Sequence, residues 1–207
     1  MTGDNIEAGI KRDWLDGRWT SSLALYQITK NDVLTGDPEH QNFSIQTGQT
    51  KTVGWEADIQ GELLPGLDLV ANYAFTDSWI SDDTRGEIIG NETPGTIKHI
   101  ANGWLSYRHP EGTLKGAGAS AGLQYQADRY NWYSFDGGES RVPDDQLRVD
   151  GGLSWQGDKL GVAFNVNNVF DEYIYDGTLY TFAAKPYYIW NSEPGRNYRL
   201  SLSYRFK

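Results

Sequence analysis

The stretch Asn197-Tyr-Arg-Leu-Ser-Leu-Ser-Tyr-Arg-Phe206 puts an apolar or aromatic side chain at every second position. Successive side chains of a strand point to opposite sides, so Tyr198, Leu200, Leu202, Tyr204 and Phe206 share one face. Arg199, Ser201, Ser203 and Arg205 share the other. Two architectures use such a strand. A soluble sandwich hides the apolar face in a core, whereas a transmembrane β-barrel turns it toward lipid and keeps the polar face in the lumen. The rest of the chain selects the second.

Period-two alternation recurs upstream, and helical periodicity does not. Ile6, Ala8 and Ile10 alternate with Glu7, Gly9 and Lys11; Trp19, Leu23 and Leu25 mark a second strand. Val53, Trp55, Ala57 and Ile59 form a third apolar face, and Leu67, Leu69, Ala71, Tyr73 and Phe75 a fourth. From Ile97 to Tyr107 the pattern is less clean, with Trp104 opposite Ala101, Leu105 and Tyr107. Ala117 to Gln126, Leu147 to Trp155 and Leu160 to Asn167 alternate again. Counting alternation predicts an all-β, antiparallel up-and-down meander of about nine transmembrane strands.

The connections alternate in length. Asp16-Gly17-Arg18, Leu64-Pro65-Gly66, Pro110-Glu111-Gly112 and Gly157-Asp158 carry tight-turn chemistry. Asn31 to Gly48, Asp77 to Gly95, Arg129 to Asp145 and Asp171 to Arg196 read as long polar loops. Short turns on one side and long loops on the other are the habit of outer-membrane barrels, and a sandwich has no reason to sort its loops this way. The aromatics agree: Trp14, Trp19, Tyr107, Trp155, Tyr204 and Phe206 fall near the short turns, and Tyr73, Phe75, Tyr125 and Tyr198 toward the long loops. Two girdles around an aliphatic band are expected of a barrel.

Composition is consistent with this. Only 38% of residues are hydrophobic yet 14% are aromatic, which suits half-polar strands with interfacial rings. No run approaches the roughly 18 apolar residues of a helical span. Zero cysteines removes disulfides and thiolate metal sites, and a net charge of -10 argues against a nucleic-acid partner. Nine strands in a meander leave the first and last parallel, so they cannot close on each other, and open edges are not tolerated in lipid. The expectation is therefore the C-terminal part of a larger barrel, residues 1–207, with no signal peptide before the first strand.

The segments Ile6 to Arg18 with Ser22 to Tyr26, Thr52 to Gly66, Asn165 to Tyr173 and Glu193 to Arg196, by their order and spacing along the whole chain, resemble the TonB-dependent receptors of the siderophore type. Ile6-Glu-Ala-Gly-Ile-Lys-Arg-Asp-Trp-Leu-Asp-Gly-Arg18 with Ser22-Leu-Ala-Leu-Tyr26 is similar to the family's strand-turn-strand unit. Thr52-Val-Gly-Trp-Glu-Ala-Asp-Ile-Gln-Gly-Glu-Leu-Leu-Pro-Gly66 is similar to a second. More specific are Asn165-Val-Asn-Asn-Val-Phe-Asp-Glu-Tyr173 before the last loop and Glu193-Pro-Gly-Arg196 before the last strand. The resemblance implies the C-terminal part of a barrel of about 22 strands in the bacterial outer membrane. It also implies ferric-siderophore uptake, with the TonB complex as partner through an N-terminal region that this sequence lacks. One departure is Lys207 after Phe206, where family chains end on the aromatic residue.

Catalysis finds no positive support in the sequence. His40, His99 and His109 are scattered, with no clustered spacing for a metal and no acidic residue next to His99. No enzyme activity, metal or cofactor is expected. The candidate ligand contacts are Trp132, Tyr133 and Phe135 in one loop, and Tyr173, Tyr175, Tyr180, Tyr187, Tyr188 and Trp190 in the last. Rigid aromatics offer a bulky amphipathic ligand contact area with a polar handle. Loop packing or an outer girdle would use the same residues, and a structural porin or adhesin barrel is the alternative function. Arg148, Asp150, Glu56 and Asp58, on the polar parity, are expected to bridge to neighbouring strands or to a plug.

Overall fold

A computed structural model describes residues 1–40, 42–130, 143–182 and 185–206, with backbone alone for 177–182 and 185–189. Its main element is a nine-stranded antiparallel sheet. The first six strands are β1 (Thr2–Trp14), β2 (Trp19–Gly36), β3 (Ser44–Leu64), β4 (Leu67–Asp82), β5 (Thr96–Arg108) and β6 (Ala117–Tyr130). Then come β7 (Gln146–Gln156), β8 (Leu160–Asn167), β9 (Tyr175–Phe182), β10 (Lys185–Ser192) and β11 (Asn197–Tyr204). The sheet order is β1-β2-β3-β4-β5-β6-β7-β8-β11, while β9 and β10 pair separately as a hairpin. Between β4 and β5 lies a single 3-10 turn, Gly86–Ile88. Among the described residues β1 and β11 each keep one edge without a partner strand.

Register carries the apolar pattern from strand to strand. Residues directly opposite in an antiparallel pair lie on the same face, so a chain of partners is a row across the sheet. One row runs Leu23–Ala57–Tyr73–Ala101–Tyr125–Leu147. A lower one runs Leu67–Tyr107–Ala119–Leu153–Phe164–Leu200. Most apolar positions of the alternating stretches meet in this way, while Ile6 and Val53 both stand opposite Gln27. A one-residue slip in any strand would turn its apolar set to the opposite side, so the shared face specifies the register.

Among the described residues nothing is packed on this face. Ile6, Ile10, Leu153, Leu200 and Leu202 are each more than 60% exposed, and the buried hydrophobic residues among those described are Ile80, Ile88 and Ala127. A sandwich of this size would bury most of the set. An apolar face spread over nine strands requires an apolar solvent, which is lipid. From Leu67 to Phe75, eight residue steps of β4 rise about 27 Å along the strand, or about 21 Å along the normal at a tilt near 40°. That is close to the roughly 25 Å apolar band of an outer-membrane barrel.

Both girdles form. Trp14 pairs with Trp19 beside the first short turn, and Tyr204 pairs with Leu160 beside the last. At the other end Trp55, Tyr73, Phe75 and His99 cluster, with Trp55 and Tyr73 centroids 4.8 Å apart. Above them the outward rows turn polar, as in Asp4–Thr29–Lys51.

The opposite face is polar and cross-linked strand to strand. Ser22 donates to Asp58 at 2.9 Å, Asn102 to Asn72 at 2.8 Å, and the Tyr26 and Thr76 hydroxyls lie 2.8 Å apart. Trp104 lies on this face, as its parity implies, paired with Val70 and Gly122. Its indole covers Gly122 so closely that an added Cβ would come within 2.0 Å of the ring. Glycine is required there because the indole occupies the space a side chain would take.

Several boundaries differ from the sequence reading. The first long loop shrinks to residues 37–43, because β2 and β3 extend as a hairpin above the apolar band. Pro110-Glu111-Gly112 belongs to an eight-residue connection, 109–116, closed by Gly116 N–H donating to the His109 carbonyl. The largest correction concerns Asp171 to Arg196, which contains the β9–β10 hairpin. Its strands are rich in aromatic and β-branched residues, but without partners in the main sheet their pattern resembles a sticky loop. The turn at Leu64-Pro65-Gly66-Leu67 is as expected, with Gly66 at φ 77°. Its missing Cβ also leaves room for the Arg108 carbonyl, while the Arg108 N–H donates to the Gly66 carbonyl at 2.7 Å.

Candidate functional site

On the polar face, at the long-loop end, the base of the β9–β10 hairpin leans against β6 and β7 and encloses a recess of about 330 Å³. Its walls are built from alternation. Gln124 and Gln126 of β6 stand opposite Arg148 and Gln146 of β7. Arg129 should point outward by parity, with Tyr125 and Ala127. Asp128 prevents this, because its φ of 50° breaks the alternation and brings Arg129 to the recess. A left-handed non-glycine residue in a strand commonly re-aims its neighbour.

Three side chains of the wall hold the hairpin. The Arg129 guanidinium donates to the Tyr175 and Asp144 carbonyls and lies 3.6 Å from Asp176. Gln146 donates to the same Tyr175 carbonyl at 2.8 Å. Arg148 makes a two-pronged pair with Asp150, both contacts 3.0 Å, and reaches Glu193 with its third nitrogen, also at 3.0 Å. Glu193 N–H in turn donates to the Ile174 carbonyl, closing the hairpin base. Arg129 is 4% exposed, and its Nε finds no acceptor among the described residues.

Beneath the hairpin the Asn165–Tyr173 stretch folds into a compact knot. Asn168, 2% exposed and at φ 54°, bonds the Glu172 carbonyl with its Nδ2 and the Glu172 N–H with its Oδ1. Its own N–H donates to Asp150 at 2.7 Å. Asp171 accepts from Arg196 N–H at 2.7 Å, tying the start of the excursion to its return. The two specific sequence motifs therefore meet in space, and Asp150 joins them to Arg148. Asp58 bridges to β2 through Ser22, and Arg148 and Asp150 bridge to the hairpin base and the knot.

Of the predicted aromatic contacts, the fold gathers Tyr173, Tyr175 and Trp190. Tyr173 stacks on Tyr175 at 5.4 Å, Trp190 meets Tyr175 edge-on at 5.2 Å, and the Arg129 guanidinium sits 5.6 Å from the Tyr175 ring. Tyr180 pairs with Tyr187 and Tyr188 with Leu179 along the hairpin. Trp132, Tyr133 and Phe135 lie outside the described residues. Arg129, Gln146, Asn191 and Glu193 were missed by a reading centred on aromatics. The available signal was an arginine at the apolar parity of β6.

The histidines stay apart. His40 contacts Asp37, and His109 contacts Tyr107 at 2.9 Å. His99 has no acidic neighbour in sequence, but the adjacent strand supplies Asp128 at 3.4 Å while Tyr73 contacts Nδ1 at 2.6 Å. This trio lies in the outer girdle, away from the recess. Among the described residues no group of three or more His, Cys, Asp or Glu side chains could hold a metal ion.

A continuous lipid-type face, two aromatic girdles, sorted loops and a cross-linked polar face define an outer-membrane β-barrel wall. The family profile described as TonB dependent receptor-like, beta-barrel, matches residues 1–169, and the chain belongs to that family. The family consists of outer-membrane receptors and transporters. The metal-pseudopaline receptor CntO of Pseudomonas aeruginosa is 31% identical over 205 residues, covering 99% of this chain and 28% of CntO. The ferric-pyoverdine M114 receptor PbuA of a Pseudomonas strain is 29% identical over 188 residues, 84% of this chain and 21% of PbuA. The ferrichrome outer membrane transporter/phage receptor of Escherichia coli is 31% identical over 176 residues, 83% of this chain and 23% of that protein. The chain thus spans 21% to 28% of the length of these relatives. Among solved structures, the pyoverdine outer membrane receptor FpvA from P. aeruginosa bound to pyoverdine superposes with a TM-score of 0.74 at 26% identity. That match covers 99% of this chain and 30% of FpvA. The ferric yersiniabactin uptake receptor FyuA from Yersinia pestis gives a TM-score of 0.79 at 17% identity, a likeness of fold alone.

Proposed function

We propose that this chain is part of the barrel wall of a receptor that binds a ferric siderophore at its long-loop end and imports it. The observation that carries this reading is the family match over residues 1–169, with relatives named for metal-siderophore complexes. In the same reading, further strands complete the barrel against the open edges of β1 and β11. A separate N-terminal region couples the receptor to the TonB complex. The molecule binds and moves its ligand without transforming it, so it is not an enzyme, and its other partner is outer-membrane lipid.

The aromatic cluster at the hairpin supports capture there. A ferric siderophore is bulky and amphipathic, and rigid rings give contact at small entropic cost. The test is growth on a ferric siderophore as sole iron source in cells whose only such receptor is the full-length protein containing this segment. Replacing Tyr187, Tyr188 and Trp190 together by Ala should weaken binding while the barrel still reaches the membrane, since aromatic hot spots typically cost about 2 kcal/mol or more each. Failure of the unaltered receptor to support growth on any ferric siderophore would refute the reading.

A further inference from the structure

The recess under the hairpin presents an unusual balance of groups. Four charged side chains line it, and they cancel: Arg129 and Arg148 against Asp176 and Glu193. The two guanidiniums are also committed. Arg148 is held by Asp150 and Glu193, and Arg129 by backbone carbonyls and Asp176. Asp150 brings a further negative charge behind Arg148. Apart from the Arg129 Nε, which is buried out of a ligand's direct reach and has no acceptor among the described residues, what remains open are amides. Gln124, Gln126 and Asn191 line the recess, and their side chains make no hydrogen bond among the described residues. Ile97 and Ile174 add apolar wall.

An amide offers both a donor and an acceptor without charge. Groups that match are carbonyl and hydroxyl oxygens and N–H groups of uncharged ligands. A polyanion would instead meet carboxylates whose neutralising guanidiniums are already in use, and like charges brought together in a recess repel strongly. We infer that the recess formed by Gln124, Gln126 and Asn191 is a subsite for a neutral, hydroxamate- or peptide-bearing part of the ligand, and that it disfavours polyanionic catecholates. This rests on the siderophore reading above and narrows its substrate class.

The experiment uses the full-length receptor containing this segment, titrated by tryptophan fluorescence with two probes. One is a ferric trihydroxamate of zero net charge and the other a trianionic ferric tricatecholate. The trihydroxamate should bind at least about tenfold more tightly. Gln124→Ala combined with Asn191→Ala should weaken it by about tenfold or more, because hydrogen-bonding groups of the ligand are left unpaired. Gln60→Ala, on the polar face toward the short turns, should leave affinity unchanged. Gln124→Lys should raise affinity for the tricatecholate, a gain that a folding defect would not produce; heat-modifiable migration checks that each variant is folded. Equal or tighter binding of the tricatecholate by the unaltered receptor would overturn the inference, as would unchanged trihydroxamate affinity in the double variant. Growth on the tricatecholate alone would leave the uptake reading standing and remove this one. Binding of neither probe would remove this inference, and the uptake reading falls with it only if growth fails on every ferric siderophore supplied.

Discussion

Asn168→Ala should loosen the excursion between β8 and β11 without unfolding the sheet. The Asn168 side chain makes two hydrogen bonds to the Glu172 backbone, at 2.8 and 2.9 Å, and its φ is 54°. Each bond contributes about 1 kcal/mol net. Alanine in the left-handed region adds about 1 kcal/mol more. Because Glu172 is exposed, water re-solvates its freed N–H and carbonyl, so the penalty for leaving them unpaired stays small. The sum is about 3 kcal/mol, or roughly a 150-fold increase in local opening. Hydrogen exchange of peptides covering 168–176 in the full-length receptor reads this directly. Asn168→Gly should fall between, since it tolerates the backbone conformation but loses both bonds. Strand peptides from β3 and β4 should be unaffected. If exchange in 168–176 is the same in Asn168→Ala and the unaltered protein, the knot is not what holds the base of the hairpin.

Leu200→Arg places a charge on the lipid face between the girdle residues Tyr198 and Tyr204 and should cost about 2–4 kcal/mol of folded barrel. Ser201→Arg, on the polar face, should be tolerated, and equal losses of heat-modifiable folded protein in both would contradict the assigned faces. Gly66→Ala meets a backbone carbonyl 2.2 Å from the new Cβ at φ 77°, so it should slow assembly or lower the unfolding midpoint, and an unchanged midpoint would refute that reading. Asp37 accepts from the Glu39 N–H and then the His40 ring, which holds its carboxyl below the ordinary carboxylate range. Its contribution to ordering loop 37–43 is therefore full above the usual carboxylate pKa and lost as pH falls through the depressed one. Limited proteolysis of that loop should rise on acidification in the unaltered receptor, and Asp37→Asn should flatten the dependence.

Alternation alone settled which face of each strand meets lipid, because side-chain direction in a strand has a period of two and needs no knowledge of partners. Leu69, Ala119, Val162 and Leu202 could be placed outward from sequence for that reason, and Trp104 inward. Turn chemistry likewise located the short ends, since Gly66 and Gly17 occupy conformations few other residues adopt. Three matters depended on tertiary structure. Among the described residues the β9–β10 hairpin pairs only with itself, so nothing in its neighbours' patterns announced it. Arg129 reached the recess because one residue, Asp128, adopts a left-handed backbone that parity counting cannot foresee. The four charges lining the recess cancel because Asp176 and Glu193, distant in sequence from β6 and β7, converge on two arginines. Local geometry repeats along a chain and is legible there. The charge of a site is a sum over distant residues, and it exists only once the fold has brought them together.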